Sequence, residues 1–232
     1  IYATSFGAII AVCISLGYNW EDLEDYLVKR PWNKIVDFNL RSCVNAIYSK
    51  GLISGDFCRQ ALIPLLTAKD YAEDITLQQF YKATGKEIHM YAVDANQNPL
   101  TTVDISYKSH PEMKIWEAVT ISAAVPILFP PFLYEGQCLI DGGILNNYPA
   151  RSFLNDWPEE AGTALGVKLK FEAEETNEGI DEETTIFEFM GVCVKKLIRM
   201  VYPDHATLPL QIECSSPNRN LSDWLNILGM SE

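Results

Sequence analysis

Ser5 and Asp141 are the residues whose settings could do chemistry together. Ser5 lies in Ala3-Thr4-Ser5-Phe6-Gly7, a variant of the G-x-S-x-G turn that lifts a serine between a strand and a helix. Small residues are needed two before and two after that serine, because the two backbones pass close together. Alanine at position 3 adds a methyl to the crossing, so a strained turn is expected. Asp141 follows the strand-like Gln137-Cys138-Leu139-Ile140 and opens Asp141-Gly142-Gly143, whose glycines permit a turn that aims the carboxylate. A serine hydroxyl is a poor nucleophile until a base within about 2.6–3.2 Å accepts its proton. A carboxylate can be that base, and the chemistry on offer is acyl transfer through an ester on the serine. Each segment alone also has a plainer reading, Ser5 as a helix cap and Asp141 as an ordinary aspartate-glycine turn. Asn146 and Asn147 either hold the Asp141 loop through side-chain hydrogen bonds or simply form its turn.

The elements that must position this pair are legible in outline. Ser5 to Leu16 is almost continuously apolar or small, which predicts a buried helix leaving the serine turn and stopping at Gly17. Asn19 caps a second helix, Trp20 to Lys29, with acidic residues at its positive end. Helices are expected from Phe57 to Thr67 and from the capping box Thr76-Leu77-Gln78-Gln79 to Thr84, ended by Gly85. Ile88 to Val93 reads as a strand, Asp94 to Pro99 as a turn, and Leu100 to Tyr107 as the partner strand. A helix from Met113 to Ala124 is broken by Pro126. Further strands are expected around Gly166–Lys170 and Leu208–Cys214, with Ser222 capping a last short helix. Glu172 to Glu183 is acidic and reads as a mobile loop. Ile186 to Val201 is amphipathic (Phe187, Met190, Val194, Leu197, Val201), with Lys195, Lys196 and Arg199 suiting a core-packed helix or a membrane-facing one. Alternating helices and strands predict an α/β layer fold with a mainly parallel sheet.

Composition narrows the function classes. The 232 residues suit one domain, and a net charge of −13 disfavours nucleic acid and anionic membrane surfaces as partners. Apolar contact with lipid remains open. Cys13, Cys43, Cys58, Cys138, Cys193 and Cys214 are scattered without Cys-x-x-Cys pairing, which favours free thiols and a reducing compartment. No metal site and no cofactor are expected. No apolar run reaches the roughly 18 residues of a membrane span, and no signal peptide is visible. Ile1-Tyr2-Ala3 is short for a strand feeding the serine turn, so missing upstream sequence is expected.

Between Trp116 and Pro149 stand Glu117-Ala118-Val119, Ser122-Ala123-Ala124-Val125-Pro126-Ile127-Leu128-Phe129-Pro130-Pro131, and Asp141-Gly142-Gly143-Ile144-Leu145-Asn146-Asn147-Tyr148-Pro149. These segments, with Ala3-Thr4-Ser5-Phe6-Gly7, closely resemble the patatin-like phospholipase family, whose usual turn is G-T-S-x-G. The resemblance covers residues 1 to 170. It implies a three-layer α/β/α sandwich with a mainly parallel central sheet, residues 1–232 forming one domain. It also implies lipid acyl hydrolysis of the phospholipase A or lysophospholipase type, with Ser5 as nucleophile and Asp141 as proton acceptor. Family members carry a glycine-rich oxyanion loop upstream of the turn. This chain contains none, nor the strand before it, so as given it is expected to be a poor catalyst. The implied partner is a lipid or acyl ester met in the cytoplasm, with transient contact at a membrane surface.

Two other readings compete. The order Ser5, Asp141, His205 is the one used by α/β-hydrolase esterases with a histidine base, while His89 and His110 have no better case. A non-catalytic lipid-binding or scaffold domain would tolerate Ala3 and the lack of a glycine loop. Phe129-Pro130-Pro131-Phe132-Leu133 either rims an acyl site or packs the core near the turn. Phospholipid, galactolipid, triacylglycerol and lysophospholipid all suit the same pair of residues.

Overall fold

A computed structural model describes residues 1–32, 48–171, 180–182, 184–201 and 206–216. The chain divides into two compact units, Ile1–Asn147 and Tyr148–Glu232. The first begins with strand β1 (Tyr2–Thr4) and helix α1 (Phe6–Ser15), then α2 (Trp20–Lys29), α3 (Phe57–Thr67) and α4 (Leu77–Thr84). Strands β2 (His89–Asp94) and β3 (Thr101–Ile105), helix α5 (Ile115–Ser122), and strands β4 (Phe132–Tyr134) and β5 (Gln137–Asp141) complete it. Three of the predicted caps are in place. Asn19 accepts the Asp22 N–H at 2.8 Å, Thr76 and Gln79 form the capping box, and Gly85 takes the left-handed conformation that ends α4.

The α/β class is as expected, but this sheet is mixed rather than mainly parallel. β2 runs through its centre, parallel to β1 and antiparallel to β3 and β5, and β4 pairs antiparallel with β5. Two of the three antiparallel pairings are hairpins, since strands joined by a short turn must run antiparallel, and the third, β2 with β5, joins segments distant in sequence. The β2–β3 turn is tied by Asp94, whose carboxylate accepts the N–H groups of Asn96 and Cys138. The β4–β5 turn rests on Glu135 and Gly136, both at positive φ (47° and 83°), as a two-residue hairpin turn requires.

Pairing register explains how the two predicted residues meet. β3 lies along one edge of β2, from Met90 to Asp94. β1 and β5 share the other edge, with Thr4 opposite Tyr91 and Asp141 opposite Ala92. The two strands point toward each other, and their carboxyl ends meet at adjacent residues of β2. Behind them, α1 buries Ala8, Ile9, Ala11, Val12 and Cys13 in a core shared with Leu62 and Leu66 of α3 and Ile115, Val119 and Ile121 of α5. The apolar run after Ser5 is thus a buried helix, as its composition demands.

In the second unit, α6 (Ala150–Asp156) precedes β6 (Leu165–Phe171), α7 (Ile186–Val201) and β7 (Leu210–Ser216), and β6 and β7 pair in parallel. Along α7, Met190 is exposed and Val194 half-buried. His205 and Ser222 lie outside the described residues, as does most of the acidic stretch Glu172–Glu183. No described helix is long and apolar enough to cross a membrane.

Candidate active site

Ser5 stands between β1 and α1 with φ 57° and ψ −133°. A non-glycine residue rarely holds a positive φ, and doing so costs about 1–3 kcal/mol. The strain resides in the serine itself rather than at Ala3. A Cβ built on Gly7 would meet the Ala3 Cβ at 3.9 Å, an ordinary contact. The Ser5 hydroxyl makes no capping bond to α1; it donates instead to Asp141 Oδ2 at 2.5 Å. Ser5 is half-buried, and Phe6 and Gly7 beside it are exposed.

Asp141 is only 3% exposed. Its Oδ1 accepts the Gly143 N–H at 2.6 Å. Burial pushes its carboxyl up to about 6, against the opposing pull of the bonds from Ser5 and Gly143. The glycines after it are sterically required. A Cβ on Gly142 would overlap the Tyr91 carbonyl, reaching its carbon at 2.6 Å, and one on Gly143 would come to 2.8 Å from Asp141 Oδ1. The Asn146 N–H closes the turn on the Gly142 carbonyl at 2.9 Å. Asn147 lays its amide oxygen 3.1 Å from where a Gly143 Cβ would be.

A second hydroxyl, which residue patterns do not single out for a role, is Ser122. It accepts the Ser5 N–H at 3.1 Å and donates to the Tyr91 carbonyl at 2.7 Å. Its place in the Ser-Ala-x-x-Pro segment was the available signal. The two described histidines are engaged elsewhere. His89 bonds Asp104 and Glu87, each at 2.7 Å; burial opposes its imidazolium, but these carboxylates outweigh it and raise its pKa. His110 contacts Ser109. Phe129 packs on Phe57 at 5.6 Å between ring centres and Phe132 against the core, while Leu133 is exposed. Among the described residues no group of three or more His, Cys, Asp or Glu could hold a metal.

Comparison with known proteins places the chain in a family. The sequence profile of the patatin-like phospholipase family matches residues 1–154. The chain belongs to that family. It is 29% identical over 152 residues to the probable lipid hydrolase 463L of Invertebrate iridescent virus 6, covering 62% of this chain and 49% of that protein. It is 25% identical over 162 residues to the uncharacterized protein R571 of Acanthamoeba polyphaga mimivirus, covering 70% and 52%. The uncharacterized protein YqhO of Bacillus subtilis (strain 168) is 24% identical over 184 residues, covering 73% and 60%. The chain thus spans about half the length of the curated relatives it matches.

Proposed function

We propose that the protein hydrolyses acyl esters of lipids with Ser5 as nucleophile and Asp141 as its base. The observation that carries this reading is the Ser5 hydroxyl bonded to a buried carboxylate at 2.5 Å. As Ser5 Oγ attacks the ester carbonyl, its proton passes to Asp141 Oδ2. The tetrahedral intermediate collapses to an acyl-serine, and the leaving alcohol takes the proton from Asp141. Water then gives a proton to the same carboxylate and attacks the acyl carbon, releasing the fatty acid and restoring Ser5. A pKa of about 6 suits this duty, because a base works best near the operating pH. The positive end of α1 adjoins Ser5 and favours negative charge developing there.

Lipid as the substrate class rests on family membership and on the relative named as a probable lipid hydrolase. With a net charge of −13, apolar side chains rather than cations would make any contact with a membrane surface. Initial rates on a long-chain acyl ester, measured in the full-length protein, test the assignment. Ser5→Ala and Asp141→Asn should each nearly abolish turnover, and His205→Ala should leave most of it. Asparagine has the shape of aspartate but cannot take the proton from Ser5. A folded His205→Ala protein as inactive as Ser5→Ala would sink the two-residue mechanism.

A further inference from the structure

Ser122 ends α5 with no exposed surface. A buried hydroxyl without partners costs a few kcal/mol, and this one uses both of its capacities on backbone groups. Their polarities fix its direction. The Tyr91 carbonyl can only accept, so it takes the hydroxyl proton at 2.7 Å. The Ser5 N–H can only donate, so it meets a lone pair at 3.1 Å. Ser122 thereby ties the one site residue with a positive φ to the strand on which the site is built.

The next residues tie the other half. Pro126 cannot continue α5, and it disfavours helical backbone at Val125. The Ala124 carbonyl is thereby released from the helix ladder, and it accepts the Asp141 N–H at 3.0 Å. Within three residues, one side chain holds the backbone of Ser5 and one carbonyl holds the backbone of Asp141. The Tyr91 carbonyl is common ground, because it receives Ser122 and also fits against Gly142, where a Cβ would strike it.

We infer that Ser122 is a positioning residue, holding the Ser5 turn in its strained conformation and so fixing the approach of the Ser5 hydroxyl to Asp141. It touches neither substrate nor the reacting atoms. The inference rests on the hydrolase reading for its kinetic consequence, but not for the clamp itself. Released from Ser122, the Ser5 backbone can relax toward negative φ and swing its hydroxyl away from the carboxylate. Misplacement of reacting groups by about 1 Å can cost on the order of 10²-fold in rate.

Two measurements on full-length Ser122→Ala separate the possibilities. Hydrogen exchange at single-residue resolution should show the Ser5 amide losing protection about a hundredfold while the Met90 and Ala92 amides keep theirs. The rate constant for labelling Ser5 by a fluorophosphonate should fall tenfold or more, with KM for a short-chain ester within about twofold of the parent. Ser106→Ala, which removes another buried hydroxyl on a partner away from the site, should change neither. Unchanged Ser5 protection in folded Ser122→Ala overturns the clamp. An unchanged labelling rate overturns its effect on reactivity. If Ser5 is inert in the parent as well, the hydrolase reading fails and the exchange measurement alone decides the clamp. Should Ser122→Ala not fold, Ser122→Cys keeps nearly the volume with a weaker acceptor, and must show the same losses in smaller degree.

Discussion

Asp141 is held where its charge is costly, and that sets both a pH dependence and a stability trade. Its carboxyl is raised from 3.8 to about 6, chiefly by burial. The folded state therefore keeps its proton over a pH range in which the unfolded chain has lost it. Stability is highest below the unfolded value and declines as pH rises through about 6, a loss of about 3 kcal/mol from this residue by pH 8. Asparagine never ionises and can still accept the Gly143 N–H. Asp141→Asn is expected to melt a few degrees above the parent at pH 8, with the advantage shrinking by pH 4.5. A variant that melts lower than the parent at pH 8 would show that the carboxylate is not destabilised. Under the proposed mechanism the acylation rate of the parent should rise in the same window, because only ionised Asp141 can take the serine proton. Ser5 and Asp141 were legible as residues because their glycine-bearing neighbours are local signals. Ser122 was not, since its role exists only through partners contributed by two other elements.

At the scale of elements, helix ends were readable because caps are local; Asn19, the Thr76–Gln79 pair and Gly85 each act within one turn. Strand direction was not, because it depends on which distant segment pairs along an edge. The turn from Asp94 to Pro99 points to one antiparallel hairpin, while the alternation of elements predicts parallel pairing elsewhere and carries no sign of the β4–β5 hairpin. Glycines sort in the same physical way. Gly7 lies in α1 with room for a methyl, and Gly7→Ala should gain roughly 0.5–1 kcal/mol of stability from helix propensity. A methyl at Gly142 would enter the Tyr91 carbonyl, and one at Gly51 would reach the Pro130 Cδ at 2.6 Å and its backbone nitrogen closer still. Gly142→Ala and Gly51→Ala should each lose about 1–3 kcal/mol. Melting temperatures of the three variants check the order, and a stabilised Gly142→Ala would refute the steric account.

Over the whole molecule, both strand ends and the Ser122–Ala124 segment of the candidate site fall within residues 1–147. That is also where the sequence carried most of its signal; the β6–β7 pair is carried by periodicity alone, with no chemistry-bearing motif. All five described cysteines are free, and they differ sharply in access. Cys13 in α1 and Cys58 in α3 are buried, which pushes their thiols up to about 11 and about 12, whereas Cys214 is exposed. A thiol in that condition reacts with an alkylating reagent only when the protein opens around it. Under native conditions iodoacetamide should modify Cys214 within the ordinary time of an accessible thiol, and Cys13 and Cys58 far later. If the two late rates coincide, α1 and α3 part in one cooperative event; if Cys13 leads, the helix behind Ser5 breathes on its own. The apolar packing that supports the serine turn thus contains a pair of chemical clocks, which time how often the backing of the site comes undone.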